Sequence, residues 1–153
     1  MRASTKLYNQ MVVVEKDEDI NVQAVNFMLQ GHGFRPIVKV EVHITDYESA
    51  MSEIRRLVLH YEEGKEGLAP KTLMIKYARI LPPEHWINAL LAVDRTYLRE
   101  VNAYRYLESK EAQERYKLEL LTKVYYAIVR QDFMRFTLLM EDLETTHKQF
   151  RQS

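Results

Sequence analysis

The sequence predicts an α+β protein: an N-terminal antiparallel β-meander with an amphipathic helix, then a mostly α-helical C-terminal half ending in a helical hairpin. All four glycines and all four prolines precede residue 84. Because Gly and Pro disfavour a helix interior by about 1 and 3 kcal/mol, their absence from residues 84–153 favours successive helices. A second observation is the alternation of Val and Ile with polar residues over 38–44, which predicts a strand.

Three segments near the N-terminus make up the predicted meander. The β-branched run at residues 11–14 is the first, and residues 38–44 are the last. Residues 20–29 between them fit either a strand or a helix face. We favour a strand, because Gln30-Gly31-His32-Gly33 would form a tight connection to the next one.

The middle of the chain predicts one helix and one further strand. Thr45 and Glu48 have the spacing of a capping box, and apolar residues follow every three or four positions to about residue 62. Residues 62–70 contain two glycines and a proline and predict a loop. Residues 72–80 alternate as in a strand, with a short helix as the alternative.

The C-terminal half predicts three helices, over residues 84–108, over 110–130 and from 132 onward. The last two form the predicted helical hairpin, residues 116–148. We therefore divide the chain into an α+β scaffold region, residues 1–83, and a helical region, residues 84–153. Together they are expected to form one compact domain.

Composition restricts the function classes. The chain has no cysteine, which excludes disulfides, thiolate metal sites and a cysteine nucleophile. Lys and Arg number 22, as do Asp and Glu, so the net charge is zero. A zero balance argues against coating nucleic acid or anionic membrane and is compatible with a homo-oligomer. No apolar run reaches the ~20 residues of a membrane span, and we expect a cytoplasmic protein.

No motif for catalysis, cofactor binding or metal binding stands out. The five histidines lack helical metal-site spacing, and neither a phosphate loop nor a nucleophile elbow occurs. We therefore expect no catalytic residue, no cofactor and no metal. An enzyme remains an alternative if His32, His43 or Asp94 converge in a pocket. The neighbouring acids Glu141 and Asp142 are expected on a solvated face.

Tyrosine is abundant, with ten residues, and the segment 95–106 alternates tyrosine with arginine. Tyr and Arg are enriched at protein interfaces, although core packing of the rings is the commoner outcome. A nucleic-acid surface is a further alternative. It would require the arginines of this segment to converge with Lys71, Lys76 or Arg79.

The segment 120–143 resembles the IDEAL domain, a short helical hairpin of small regulatory proteins from Bacillus-like Gram-positive bacteria. Residues 1–110 resemble no family. The match is carried by Val124, Ala127, Ile128, Asp132, Phe136, Leu139 and Leu143. Tyr125 and Tyr126 stand where the family has an Asp-Glu pair, which implies a different partner or a different contact with it. The resemblance implies a non-enzymatic role, with a link to regulated proteolysis.

The sequence as a whole favours a regulatory or adaptor protein that acts by protein–protein interaction. An apolar, aromatic helix face would enter a groove of the partner. The predicted partner-binding residues lie in the hairpin: Tyr125, Tyr126, Arg130, Asp132 and Phe133. The alternatives are a homo-oligomeric assembly protein, a nucleic-acid-binding module and an enzyme without a recognisable motif.

Overall fold

The fold is a five-stranded antiparallel sheet with helices on both faces. The structure, a computed structural model, describes residues 11–47, 49, 51–63, 69–88, 95–116, 123–130, 132 and 134–143. The strands, in chain order, are β1 Ile37–Ile44, β2 Ser52–Tyr61, β3 Thr72–Ala78, β4 Val124–Val129 and β5 Phe136–Glu141. The helices are α1 Val22–Met28, α2 Thr96–Glu108 and α3 Lys110–Tyr116. Across the sheet the strand order is β1-β2-β3-β5-β4.

Two apolar cores lie on opposite faces of the sheet. Successive residues of a strand point to opposite faces, and Leu138 and Leu139 of β5 belong to different cores. The first core packs α1, through Val25 and Met28, against β2, β3 and β5. The second packs α2, through Tyr97 and Val101, against β5 and the end of β3. We call these the α1 face and the α2 face.

An extended segment, residues 11–16, runs across the α1 face beside α1. The Val14 amide donates to the buried Thr137 hydroxyl at 2.8 Å. A 3-10 turn, Asp17–Asp19, follows, and its Asp17 carboxylate accepts from the Tyr77 hydroxyl of β3 and from Arg55 of β2. These bonds fasten the N-terminal segment to three strands. Among the described helices none is long and apolar enough to cross a membrane.

The predicted helical hairpin is wrong, and with it the mostly helical C-terminal half. Within residues 116–148, the described part forms the β-hairpin β4–β5, whose pairs include Ala127 with Leu138 and Val129 with Phe136. Other side chains pack on both faces of these two strands. Their sequences are therefore continuous apolar runs and do not alternate. Of the helix predicted over 84–108, residues 86–88 and α2 are helical, and residues 89–94 lie outside the described part. Of the helix predicted over 110–130, α3 covers residues 110–116, residues 117–122 lie outside the described part, and residues 124–129 form β4.

The predictions for the N-terminal half are partly wrong. Residues 45–62 contain β2 where a helix was expected, and residues 20–29 contain α1 where a strand was favoured. The Asn21 side chain caps α1 by accepting from the Ala24 amide at 2.9 Å. Residues 11–14 are extended but pair with no strand. The strand predicted at 38–44 is confirmed as β1, and the strand alternative for 72–80 is confirmed as β3.

Candidate functional site

An ion pair joins the central strand of the sheet to α2. The Lys76 ammonium of β3 lies 2.5 Å from the Glu100 carboxylate of α2, and each side chain is 23% exposed. A fully exposed pair would gain little from so close a contact, whereas both side chains of this pair are largely withdrawn from water. Lys76 is thus a fixed cation on the α2 face.

Tyr97 sets the position of α2 on the sheet. Its ring is fully buried and stacks on Phe136 of β5, with 4.3 Å between the ring centroids. Its hydroxyl donates to the Met51 carbonyl at 2.6 Å, immediately before β2. The Arg79 amide, just after β3, donates to the same carbonyl at 2.9 Å. The Met51 carbonyl therefore links α2 to the start of β2 and to the end of β3.

Apolar side chains surround Lys76 on the α2 face. Register places Ile54 of β2 opposite Lys76, and Met140 of β5 opposite Met74. Met74 lies two residues before Lys76, so both point to the same side of the sheet. Met74 is 8% exposed, while Ile54 and Met140 are half-buried. Apolar side chains thus adjoin Lys76 on the α2 face.

A second ion pair lies on the same face, beyond Met74. Arg56 of β2, which is opposite Met74, donates through Nε to the Asp142 carboxylate at 2.8 Å. Asp142 is only 1% exposed. The expectation that Glu141 and Asp142 lie on a solvated face is therefore wrong for Asp142. This residue directly follows β5, and its side chain is buried.

Two of the predicted partner-binding residues make internal contacts. The Tyr126 hydroxyl accepts from the Val12 amide and donates to the Val12 carbonyl, both at 2.9 Å, and burial raises the pKa of this phenol. Tyr125 packs its ring edge against His32, with 5.0 Å between centroids. The Tyr125 carbonyl also lies 2.8 Å from His32 Nε2. Tyr125 and Tyr126 hold the outer strand in place.

The other predicted partner-binding residues lie at the turn between β4 and β5. Arg130 pairs with Asp132 at 2.5 Å and with Glu15 at 2.7 Å, and all three are at least 39% exposed. The hydrogen bond from Arg130 lowers the pKa of Asp132. Phe133 lies outside the described residues. The structure places Arg130 and Asp132 in contact with each other. Arg130 also contacts Glu15 of the N-terminal segment.

The residues named for an enzyme do not converge. His32 contacts Tyr125 on the outer strand, whereas His43 is exposed on β1. Asp94 lies outside the described residues. Elsewhere on β1, a hydrogen bond from His60 lowers the pKa of the Glu41 carboxyl, with 2.6 Å between Nε2 and Oε2. In the described part of the chain, no three His, Asp or Glu side chains gather in a way that could hold a metal ion.

Sequence reasoning missed the Lys76–Glu100 pair. The sequence suggests Lys76 only for nucleic-acid contact and indicates no role for Glu100. The available signal was a lysine directly after Ile75 on a strand, followed by a helix with an inward-facing glutamate. No family model, no curated protein and no solved structure matches the chain. The site must therefore be interpreted from its own geometry.

Buried phenols predict a loss of stability at alkaline pH. Burial raises the pKa of Tyr61 and of Tyr97 to about 12, above the ordinary value of 10.0. Since the folded protein holds these protons more tightly, their stabilising contribution is complete below pH 10 and is lost as pH rises from 10 to about 12. We expect the urea midpoint to fall over this window. Absorbance at 295 nm should show a late phase of tyrosine ionisation.

The control for this titration is the double variant Tyr61→Phe/Tyr97→Phe. It should lose the part of the late phase that Tyr61 and Tyr97 contribute, whereas Tyr77 and Tyr126, whose pKa burial also raises, still ionise late. A single ionisation step near pH 10 in a protein whose circular dichroism remains native would contradict the burial of the two hydroxyls.

Proposed function

We propose that this chain is a cytoplasmic nucleotide-binding module in which Lys76, held by Glu100, contacts the phosphates of a nucleoside triphosphate. The observation that carries the proposal is the 2.5 Å ion pair between a mid-strand lysine and a glutamate of α2, a helix later in the chain. Protein kinases bind ATP phosphates with a lysine on their third strand, and that lysine pairs with a glutamate of the next helix.

The chain order supports this comparison. In kinases, a loop between the first two strands covers the phosphates, and the lysine ends a Val-Ala-Ile-Lys run on the third strand. Here β1 and β2 form an antiparallel pair, and β3 carries Leu73-Met74-Ile75-Lys76. The next helix that the structure describes in full is α2, which carries Glu100. Strand number, lysine position and helix position therefore agree with the kinase arrangement.

The β1–β2 connection departs from that arrangement. Residues 45–51 read Thr-Asp-Tyr-Glu-Ser-Ala-Met and contain no glycine. A glycine-rich loop lets backbone amides approach the phosphates closely. Without it, a larger share of phosphate binding falls on Lys76. We therefore expect weaker phosphate binding than a glycine-rich loop would support.

The apolar surface beside Lys76 is where the base would lie. Ile54 and Met140 present half-buried apolar groups within one or two strand positions of the lysine, and Met74 beside them is buried. Ligand sites generally combine such apolar walls with a few fixed polar groups. A planar base on the methionines would leave its phosphates directed toward the ammonium group.

The proposal is limited to binding. Phosphoryl transfer in protein kinases also uses a catalytic-loop Asp and Asn and a further Asp that binds Mg²⁺. The described segments of this chain offer no match to those motifs. This chain contributes the Lys76 ammonium group, a positive charge held in place to contact phosphate oxygens. In phosphoryl transfer, such a contact positions the phosphates.

Isothermal titration with MgATP tests the proposal. The purified chain should bind with a stoichiometry near one and an affinity in the micromolar-to-millimolar range, and adenosine should bind more weakly because it lacks phosphates. Raising the salt concentration should weaken binding, since the contact is partly electrostatic. Absence of heat and of any chemical-shift change at millimolar MgATP would refute nucleotide binding by this chain.

The adaptor role is a second candidate, favoured by exposed apolar residues between β3 and α2. Trp86 is 69% exposed and Ile80 58%. Tryptophan is a frequent anchor of protein interfaces, so this connection is a better candidate for partner binding than the hairpin residues, with or without a link to regulated proteolysis. A partner captured by the wild type and lost by Trp86→Ala, without any nucleotide binding, would favour this alternative.

A further inference from the structure

The two edge strands of the sheet, β1 and β4, differ in what contacts their backbone from outside the sheet. On β4, the Tyr125 carbonyl lies 2.8 Å from His32 Nε2, and the Ala127 carbonyl accepts from Arg105 of α2 at 2.6 Å. Side chains therefore already use part of the β4 edge. Such contacts hinder the pairing of an edge strand with another chain.

On β1, side chains contact only the beginning of the strand in this way. The Asn26 side chain of α1 accepts from the Ile37 amide at 2.8 Å and donates to the Ile37 carbonyl at 3.1 Å. Over residues 38–44, within the described part of the chain, the β1 backbone has hydrogen-bond partners only in β2. We call this stretch, residues 38–44, the β1 edge.

The outward backbone groups of the β1 edge include those of Val40 and Val42. The Leu59 amide donates at 2.8 Å to the residue just before β3, so Leu59 turns its backbone groups to β3. Its neighbour Val58 therefore turns its groups to β1. Val58 pairs with Glu41, whose groups face β2. Val40 and Val42, on either side of Glu41, turn their amides and carbonyls away from the sheet.

The charges of β1 are complementary in one antiparallel pairing of the strand with itself. A two-fold axis through Val40 places Lys39 of each copy opposite Glu41 of the other. Since Lys39 and Glu41 bond their own β2, they form non-hydrogen-bonded pairs across the interface, where side chains lie closest. Opposite charges stabilise such cross-strand pairs, and symmetry supplies two of them.

The neighbouring registers lack this complementarity. An axis through Glu41 would place the two Glu41 carboxylates opposite each other. An axis through Val42 would place Glu41 opposite His43 and Lys39 opposite Thr45, so that Lys39 would have no acidic residue opposite. The charge pattern therefore selects the register centred on Val40.

We propose that two copies of this chain associate through the β1 edge, with Val40 on the two-fold axis and Lys39 of each copy opposite Glu41 of the other. The ladder covers residues 38–42 and ends where Asn26 contacts Ile37. Two five-stranded sheets then form one continuous sheet. The zero net charge of the chain gives two copies no overall repulsion. Lys76 lies on β3, two strands from this edge, so the association needs no nucleotide.

Sedimentation velocity over a concentration series tests the proposal. The wild type should change reversibly from a monomer of 18.2 kDa to a dimer. Since so short a ladder buries less surface than the ~1,600 Å² of a standard interface, we expect a dissociation constant above about 1 µM. Lys39→Glu and Glu41→Lys should each weaken association by about tenfold or more, because each puts like charges opposite each other twice.

A mixture of the two variants tests the register itself. In a mixed dimer, a strand with two acidic residues faces a strand with two basic ones, so both charge pairs return. Mixing changes nothing within either chain, and the mixture should associate about as strongly as the wild type. Lys71→Glu is the matched control, because it makes the same charge change on an exposed residue away from β1. It should associate like the wild type.

Three results would overturn the proposal: a wild type that stays monomeric at millimolar concentration, single variants that associate like the wild type, or a mixture that stays monomeric. None of them bears on nucleotide binding, because the variants keep Lys76 and Glu100. Conversely, a wild type that dimerises but binds no MgATP would refute only the proposed function.

Discussion

Replacing Lys76 with methionine should weaken MgATP binding by about 10- to 100-fold, the equivalent of roughly 1.5–3 kcal/mol for hydrogen bonds to a charged group. Methionine keeps the length and apolar stem of lysine and removes the ammonium group. Affinity for adenosine should change far less than affinity for MgATP, because the apolar surface around Met74 remains. The measurement is a pair of calorimetric titrations on the variant and the wild type.

Lys71→Met is the control for this substitution. Lys71 is exposed and lies just before β3, and its substitution removes the same charge five residues before Lys76. Its loss should alter affinity by less than a factor of two, since an exposed charge at a distance is screened. Equal losses for the two variants would mean that overall charge, and not the position of Lys76, governs binding.

Replacing Asp142 with alanine should lower the free energy of unfolding by about 3 kcal/mol. The carboxylate is 1% exposed and accepts from Arg56 at 2.8 Å. Its removal leaves the Arg56 guanidinium, which is 27% exposed, without this anionic partner. Urea unfolding followed by circular dichroism measures the change.

Asp132→Ala is the matched control for a surface ion pair. Asp132 contacts Arg130 at 2.5 Å, but the two side chains are 47% and 39% exposed. Water and salt screen such a pair, so we expect a loss of less than about 1 kcal/mol. If Asp132→Ala cost as much as Asp142→Ala, the burial of Asp142 would not be the source of its effect.

Strands with one wet face could be predicted from the sequence. In β1, Lys39, Glu41 and His43 alternate with apolar residues, and Lys39 and His43 are exposed. The alternation in β3 was also recognisable, although the strand is central. The period-2 pattern survives there because Lys76 pairs with Glu100 and so keeps a charge in an otherwise apolar strand.

Strands covered on both faces could not be predicted in the same way. In β4, residues 124–129 read Val-Tyr-Tyr-Ala-Ile-Val, with an apolar core on each side. Such a run fits a buried helix as well as a buried strand. The signal that favours a strand is its β-branched and aromatic content. The absence of glycine and proline permits a helix but does not require one.

The candidate site depends on contacts between residues far apart in the chain. Lys76 and Glu100 are 24 positions apart, and they meet because α2 covers the sheet, chiefly over β4 and β5. The expected helical bundle placed the two residues in separate regions. Because residues 124–129 and 136–141 form strands, α2 packs on a sheet. Glu100 on the inner side of α2 then contacts Lys76.

Site-specific labelling tests the central claim most directly. An ATP acyl phosphate transfers its acyl group to a lysine near the bound phosphates: the amine attacks the acyl carbon, an amide forms and ATP leaves. Peptide mapping by mass spectrometry should find the label on Lys76 and its loss in excess MgATP. Labelling spread over exposed lysines such as Lys39 and Lys71, without protection by MgATP, would contradict a phosphate site at the Lys76–Glu100 pair.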